Sequence, residues 1–127
     1  MDVTRASFQS SESLDRFYGD MAASDEPVSA VIGHQMLTLL SAMSRVPPQV
    51  RLYGFTSLSR LWLIAQDSPE AQLLLGVQAL PTGYQFYRAD GNSYVDAEAV
   101  HTADDVSMAC SFLSTAVWAS GSGGRAG

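Results

Sequence analysis

The sequence predicts an α+β fold: two N-terminal helices, an antiparallel meander of four or five strands, and a C-terminal helix packed on the sheet. Three observations lead there. Apolar residues recur at helical spacing as far as Met43. From Val50 onward the apolar period shortens to two or less, in segments rich in aliphatic and aromatic residues. The stretch Tyr84 to Trp118 then reads as a hairpin feeding a capped helix.

Residues 1–10 are polar and read as a weakly ordered lead-in. Ser11 to Ala23 makes the first helix, with Leu14, Phe17, Tyr18 and Met21 on one stripe. Ser24-Asp25-Glu26-Pro27 breaks and restarts the chain, because proline fits a first helical turn and acids suit a helix N-terminus. The second helix runs from Pro27 to about Ser44, and Pro47-Pro48 ends it. Val50–Thr56, Ser59–Gln66 and Gln72–Leu80 are three strands separated by short turns, which makes neighbours antiparallel.

In the next strand Tyr84, Phe86 and Arg88 face one way, and Gln85 and Tyr87 the other. Ala89-Asp90-Gly91-Asn92 reverses the chain and Ser93–Asp96 returns. Thr102, three residues before Asp105, resembles a capping box, and the last helix is expected from Thr102 to Ala119 with Val106, Cys110, Leu113 and Val117 on the sheet. One domain covers 1–118. The segment 119–127, ASGSGGRAG, reads as a flexible tail.

Composition narrows the partners. Of the 127 residues 46% are hydrophobic, enough for a core without metal or disulfides, and a single cysteine permits no internal bridge. No apolar run reaches the roughly 18 residues of a membrane helix, and the first residues do not open a signal peptide, so a cytoplasmic location is expected. The net charge is −6, and all seven basic residues are arginine. That balance argues against nucleic acid, which needs a cationic footprint, and favours a basic protein partner.

No motif for chemistry emerges. His34 has no acid at the following helical positions, and His101 stands alone before Thr102. Two isolated histidines and one cysteine do not make a zinc pattern. Cys110 lies on an apolar stripe two turns inside its helix, a core position rather than an activated nucleophile. No Gly-x-Ser-x-Gly elbow is present, and the Asp90, Asp96, Glu98, Asp104, Asp105 group lacks the register of a calcium loop. Neither catalytic residue, metal nor cofactor is therefore expected. The same acids, with strand aromatics expected on an open sheet face, predict a protein-docking site formed by Asp90, Asp96, Glu98, Tyr87, Tyr94 and Trp62.

The segments VRLYGFTSLSRLWLIAQ, TGYQFYRADGNSYVDAEAV and TADDVSMACSFL, over roughly residues 50–118, resemble in layout the immunity proteins of bacterial polymorphic-toxin and contact-dependent inhibition systems. The resemblance implies a non-enzymatic antitoxin that neutralises a cognate toxin by occluding its active site. It is one of layout and hairpin-to-helix ending, and it transfers no residue role. An alternative is a type III secretion chaperone, also small, acidic and cytoplasmic, which would dimerise around an effector segment. A small-molecule-binding domain or small enzyme is a third possibility, distinguished by a deep apolar cavity with convergent polar groups. The chain is expected as a monomer or homodimer.

Overall fold

The computed structural model describes residues 1–57, 59–90 and 93–120, except for the side chains of residues 90 and 93–96. The elements are, in order, β1 (Asp2–Arg5), α1 (Leu14–Ala22), α2 (Pro27–Met43), β2 (Arg51–Ser57), β3 (Arg60–Ile64), β4 (Leu73–Leu80), β5 (Gly83–Asp90), β6 (Ser93–Ala103) and α3 (Val106–Ala119). The strands form one six-stranded sheet in sequence order. The α+β expectation holds, with one strand more than foreseen.

The extra strand is β1, where a weakly ordered lead-in was expected. It pairs parallel to β2, from Asp2 opposite Arg51 to Arg5 opposite Gly54, so the sheet is mixed rather than a pure meander. Only Val3 of its side chains packs against the core. Backbone pairing with β2 therefore sustains a strand that side-chain periodicity does not announce. Met1 is fully buried, and its ammonium donates to the carbonyls of Met43 (2.9 Å) and Val46 (2.8 Å).

Parallel neighbours cannot be joined by a tight turn, so the chain between β1 and β2 crosses one face of the sheet as α1 and α2. Ser13 caps α1 by accepting from the Arg16 N–H at 3.1 Å. Glu26 caps α2 with both carboxylate oxygens, accepting from Ser29 N–H at 2.6 Å and Val28 N–H at 3.2 Å. These bonds to the charged form, the one from Ser29 foremost, hold its carboxyl below the usual range. Pro27 at the first helical position completes the expected restart.

The core lies between this helical layer and the sheet. Leu14, Tyr18, Met36, Leu39 and Met43 meet Leu52, Leu61, Leu63 and Val77, while Cys110, Leu113 and Val117 of α3 cover Tyr84, Phe86 and Ala103. Of the expected α3 stripe, Val106 is only half-buried and Ala109 is fully buried. The Tyr84 hydroxyl reaches across and donates to the Gln35 carbonyl of α2 at 2.7 Å. Burial pushes that phenol up to about 12.

Two expectations for the C-terminal third are corrected. Thr102 does not cap α3: β6 continues through it, pairing Gln85 with Thr102 and Tyr84 with Ala103. The cap is Asp105, whose carboxylate accepts from the Met108 N–H at 2.8 Å. His101 is likewise a strand residue, stacked on Phe112 of α3 with ring centroids 4.2 Å apart. Cross-strand pairing outcompetes a cap because Ala103 at the strand end is fully buried beneath the helix. Gly91, Asn92 and residues 121–127 lie outside the described residues, while Ala119 closes α3 instead of opening the tail.

The crossing of α1 and α2 depends on Gly33. A Cβ there would lie 2.4 Å from the Ala22 nitrogen and 2.7 Å from the Tyr18 carbonyl oxygen. Glycine inside a helix ordinarily costs stability relative to alanine, by roughly 0.5–1 kcal/mol. Here the sign inverts, because backbone atoms cannot yield cheaply. Gly33→Ala should destabilise the protein by about 1–3 kcal/mol in a urea titration. A variant at least as stable as the parent would show that the helices do not meet at Gly33.

Candidate functional site

Among the described residues, the three helices leave the other face of the sheet without a helix. Alternation along the strands assigns that face Tyr53 and Phe55 of β2, Arg60, Trp62 and Ile64 of β3, and Gln85 and Tyr87 of β5. The pairings Phe55–Trp62, Trp62–Gly76 and Gly76–Tyr87 align an aromatic row across four strands. Beside it runs a polar row: Ser57 opposite Arg60, Gln78 opposite Gln85, and Gln85 opposite Thr102. Continuing the β3–β4 register puts Gln78 beside Arg60.

Glycine makes the aromatic row possible. A Cβ at Gly76 would lie 2.7 Å from the six-membered ring of Trp62, so the indole rests directly on backbone. The expectation that Trp62 and Tyr87 stand exposed is corrected: they are 0% and 8% accessible. Loops cover what helices do not. Phe8 packs on Phe55 with centroids 5.8 Å apart, and the Ser7 N–H donates to the Asp67 carboxylate at 2.9 Å, tying two loops together. The Gln9 carboxamide imitates a strand residue, accepting from Thr56 N–H (2.9 Å) and donating to Thr56 carbonyl (2.6 Å). Between these loops lies an open cleft of about 350 Å³ lined by Phe8, Phe55, Ile64, Pro69 and Leu73 with polar neighbours.

The polar row is organised around Tyr87. Its hydroxyl lies 2.8 Å from Gln85 Oε1 and 3.1 Å from Gln78 Oε1. The two carboxamide oxygens thus share the one phenolic hydrogen, with Gln85 the nearer acceptor. The Arg60 guanidinium lies over the Tyr87 ring, 3.7 Å from the centroid. Its Nε is buried without a hydrogen-bond partner.

The six residues expected to form one docking site are not shown together. Tyr87 and Trp62 belong to the helix-free face. Glu98 is exposed and pairs with Arg88, which alternation puts on the helix-bearing side with Phe86. The side chains of Asp90, Tyr94 and Asp96 lie outside the described residues. Sequence reasoning missed Arg60, Gln78 and Gln85. The available signal was the strand alternation that singled out Trp62, extended by one step to Arg60 and across to β4.

Elsewhere, His34 is exposed and Cys110 is buried, with its thiol pushed up by desolvation. Among the described residues, no three His, Cys, Asp or Glu side chains converge as a metal site would require. No helix among them is long and apolar enough to cross a membrane. No family model, curated protein or solved structure matches the chain.

The burial of Trp62 is directly measurable. The chain holds two tryptophans, and Trp118 is 49% exposed. In Trp118→Phe the remaining emission should be blue-shifted and resist acrylamide quenching. Quenching as efficient as that of a free indole would place Trp62 at the surface and restore it as an exposed docking residue.

Proposed function

We propose that this chain is a non-enzymatic, cytoplasmic binding protein that docks a cognate bacterial toxin domain and neutralises it by occluding its active site. The observation that carries the reading is the helix-free sheet face. It sets arginine, glutamine and hydroxyl side chains in a row beside a row of aromatic side chains, with Arg60 laid over Tyr87. Arginine and aromatic side chains are enriched at protein interfaces, and a sheet backing limits the entropy lost on docking. The net charge of −6 favours a basic partner by steering its approach.

A second reading, a type III secretion chaperone, draws support from the helical side. Val28 and Val31 of α2 and Met108 and Trp118 of α3 are exposed apolar residues of the kind that could bury in a dimer or against an effector segment. Size-exclusion chromatography separates the two: a dimer favours the chaperone, and a monomer that pairs one-to-one with a folded domain favours the antitoxin.

The test is inhibition of a candidate toxin domain, sought first in the neighbouring reading frame, with binding kinetics at two salt concentrations. One equivalent should abolish the toxin's activity. Charge reversal at Asp90, Asp96 and Glu98 together should slow association more at low salt than at high, because steering is screened over about 10 Å at 0.1 M. Unchanged low-salt association would show that these acids do not steer the partner. Failure of the unmodified chain to bind or inhibit the toxin would end the antitoxin reading.

A further inference from the structure

Arg60 differs from the other arginine lodged among aromatic rings. Arg5 also lies over a ring, 4.9 Å from the Phe17 centroid, but it is fully engaged. It donates to Gln9 Oε1, the Glu12 carbonyl and Thr56 Oγ1, and pairs with the Glu12 carboxylate at 3.6 Å. The Arg60 side chain makes no hydrogen bond or ion pair to any described residue, although the protein carries thirteen acidic residues to seven basic ones. Only its Nε is both buried and unpartnered, so the terminal nitrogens keep access to solvent. The guanidinium lies against the Tyr87 ring, and Tyr87 is fixed in turn by Gln78 and Gln85. A pre-oriented planar cation with unused N–H donors, flanked by two carboxamides, is a receptor for a planar oxyanion.

We propose that Arg60, with Gln78 and Gln85 beside it, receives a single carboxylate presented by the protein partner. The inference rests on the helix-free face being the docking face. A carboxylate suits the site better than a phosphate, because a chain of net charge −6 repels a dianion more strongly than a monoanion. Its role follows from the sign of the charge. Attraction between an acidic protein and a basic partner operates at long range and leaves the register open. One locally inverted pair, cation on this chain and carboxylate on the partner, is satisfied in one register only.

The experiment uses the intact chain, labelled with ¹⁵N and followed by NMR. The probes are the peptide Ac-Lys-Glu-Lys-NH2, its glutamine counterpart Ac-Lys-Gln-Lys-NH2, and methyl phosphate. The glutamate peptide should shift the Arg60 Nε–H and the Gln78 and Gln85 NH2 resonances saturably, and the glutamine peptide should not. Arg60→Lys keeps the charge but loses the planar fork. Its affinity for the glutamate peptide, read at the two glutamines, should fall at least about tenfold, as expected for losing a hydrogen bond to a charged group. Equal responses to the two peptides, a stronger response to methyl phosphate, or undiminished affinity in Arg60→Lys would each overturn the site. Since no toxin enters this experiment, its failure is distinguishable from failure of the antitoxin reading.

Discussion

The parallel pairing of β1 with β2 governs the rest of the molecule. Four residues, Asp2 to Arg5, lie alongside Arg51 to Gly54, and the chain between them must return to the end of the sheet from which it started. It does so through α1 and α2 over one face, as a crossover between parallel strands requires. The antiparallel run from β2 to β6 then leaves α3 to complete the same layer. All three helices therefore share one face. The tight approach at Gly33 follows from fitting two of them onto the same few strands.

What the helices leave open decides how the other face is built. An aromatic row without a helix above it must be buried by other means. Here Trp62 lies on the bare backbone of Gly76, Phe8 folds back over Phe55, and Arg60 covers Tyr87. Complete burial of an indole on a helix-free face costs the conformational freedom of every group that covers it. The polar row lies on this foundation. Its cation is oriented by a ring that two carboxamides hold in place.

Much of the fold was legible in the sequence because its helices are strongly patterned. The stripe ending at Met43, the Glu26-Pro27 restart and the alternation of Tyr84 and Phe86 against Gln85 and Tyr87 each follow from local chemistry. β1 was not legible, since a four-residue strand with one core-facing side chain draws its stability from a partner some fifty residues away. Thr102 shows the same limit in reverse: a sound local capping signal lost to the pairing of β5 with β6. The site was harder still to read. The burial of Trp62 and Tyr87 involves the bare backbone of Gly76 and the Arg60 side chain laid over Tyr87, contacts that the sequence does not announce, and neither the Phe8 loop nor the Asp67 loop over Phe55 carries a periodic signal. Arg60 gains its significance from a side chain that makes no hydrogen bond or ion pair among the described residues, which no linear spacing encodes.

The central claim is that partners are read by the helix-free face. Side-chain footprinting by hydroxyl radicals, with and without a protein partner that the chain has been found to bind, tests it most directly. Phe8, Arg60 and Gln85 should lose reactivity on complex formation, while Val28, Val31, Met108 and Trp118 on the helical layer keep theirs. Protection of those four helical residues, with Phe8, Arg60 and Gln85 unchanged, would place the docking surface on the opposite side of the sheet and contradict the account.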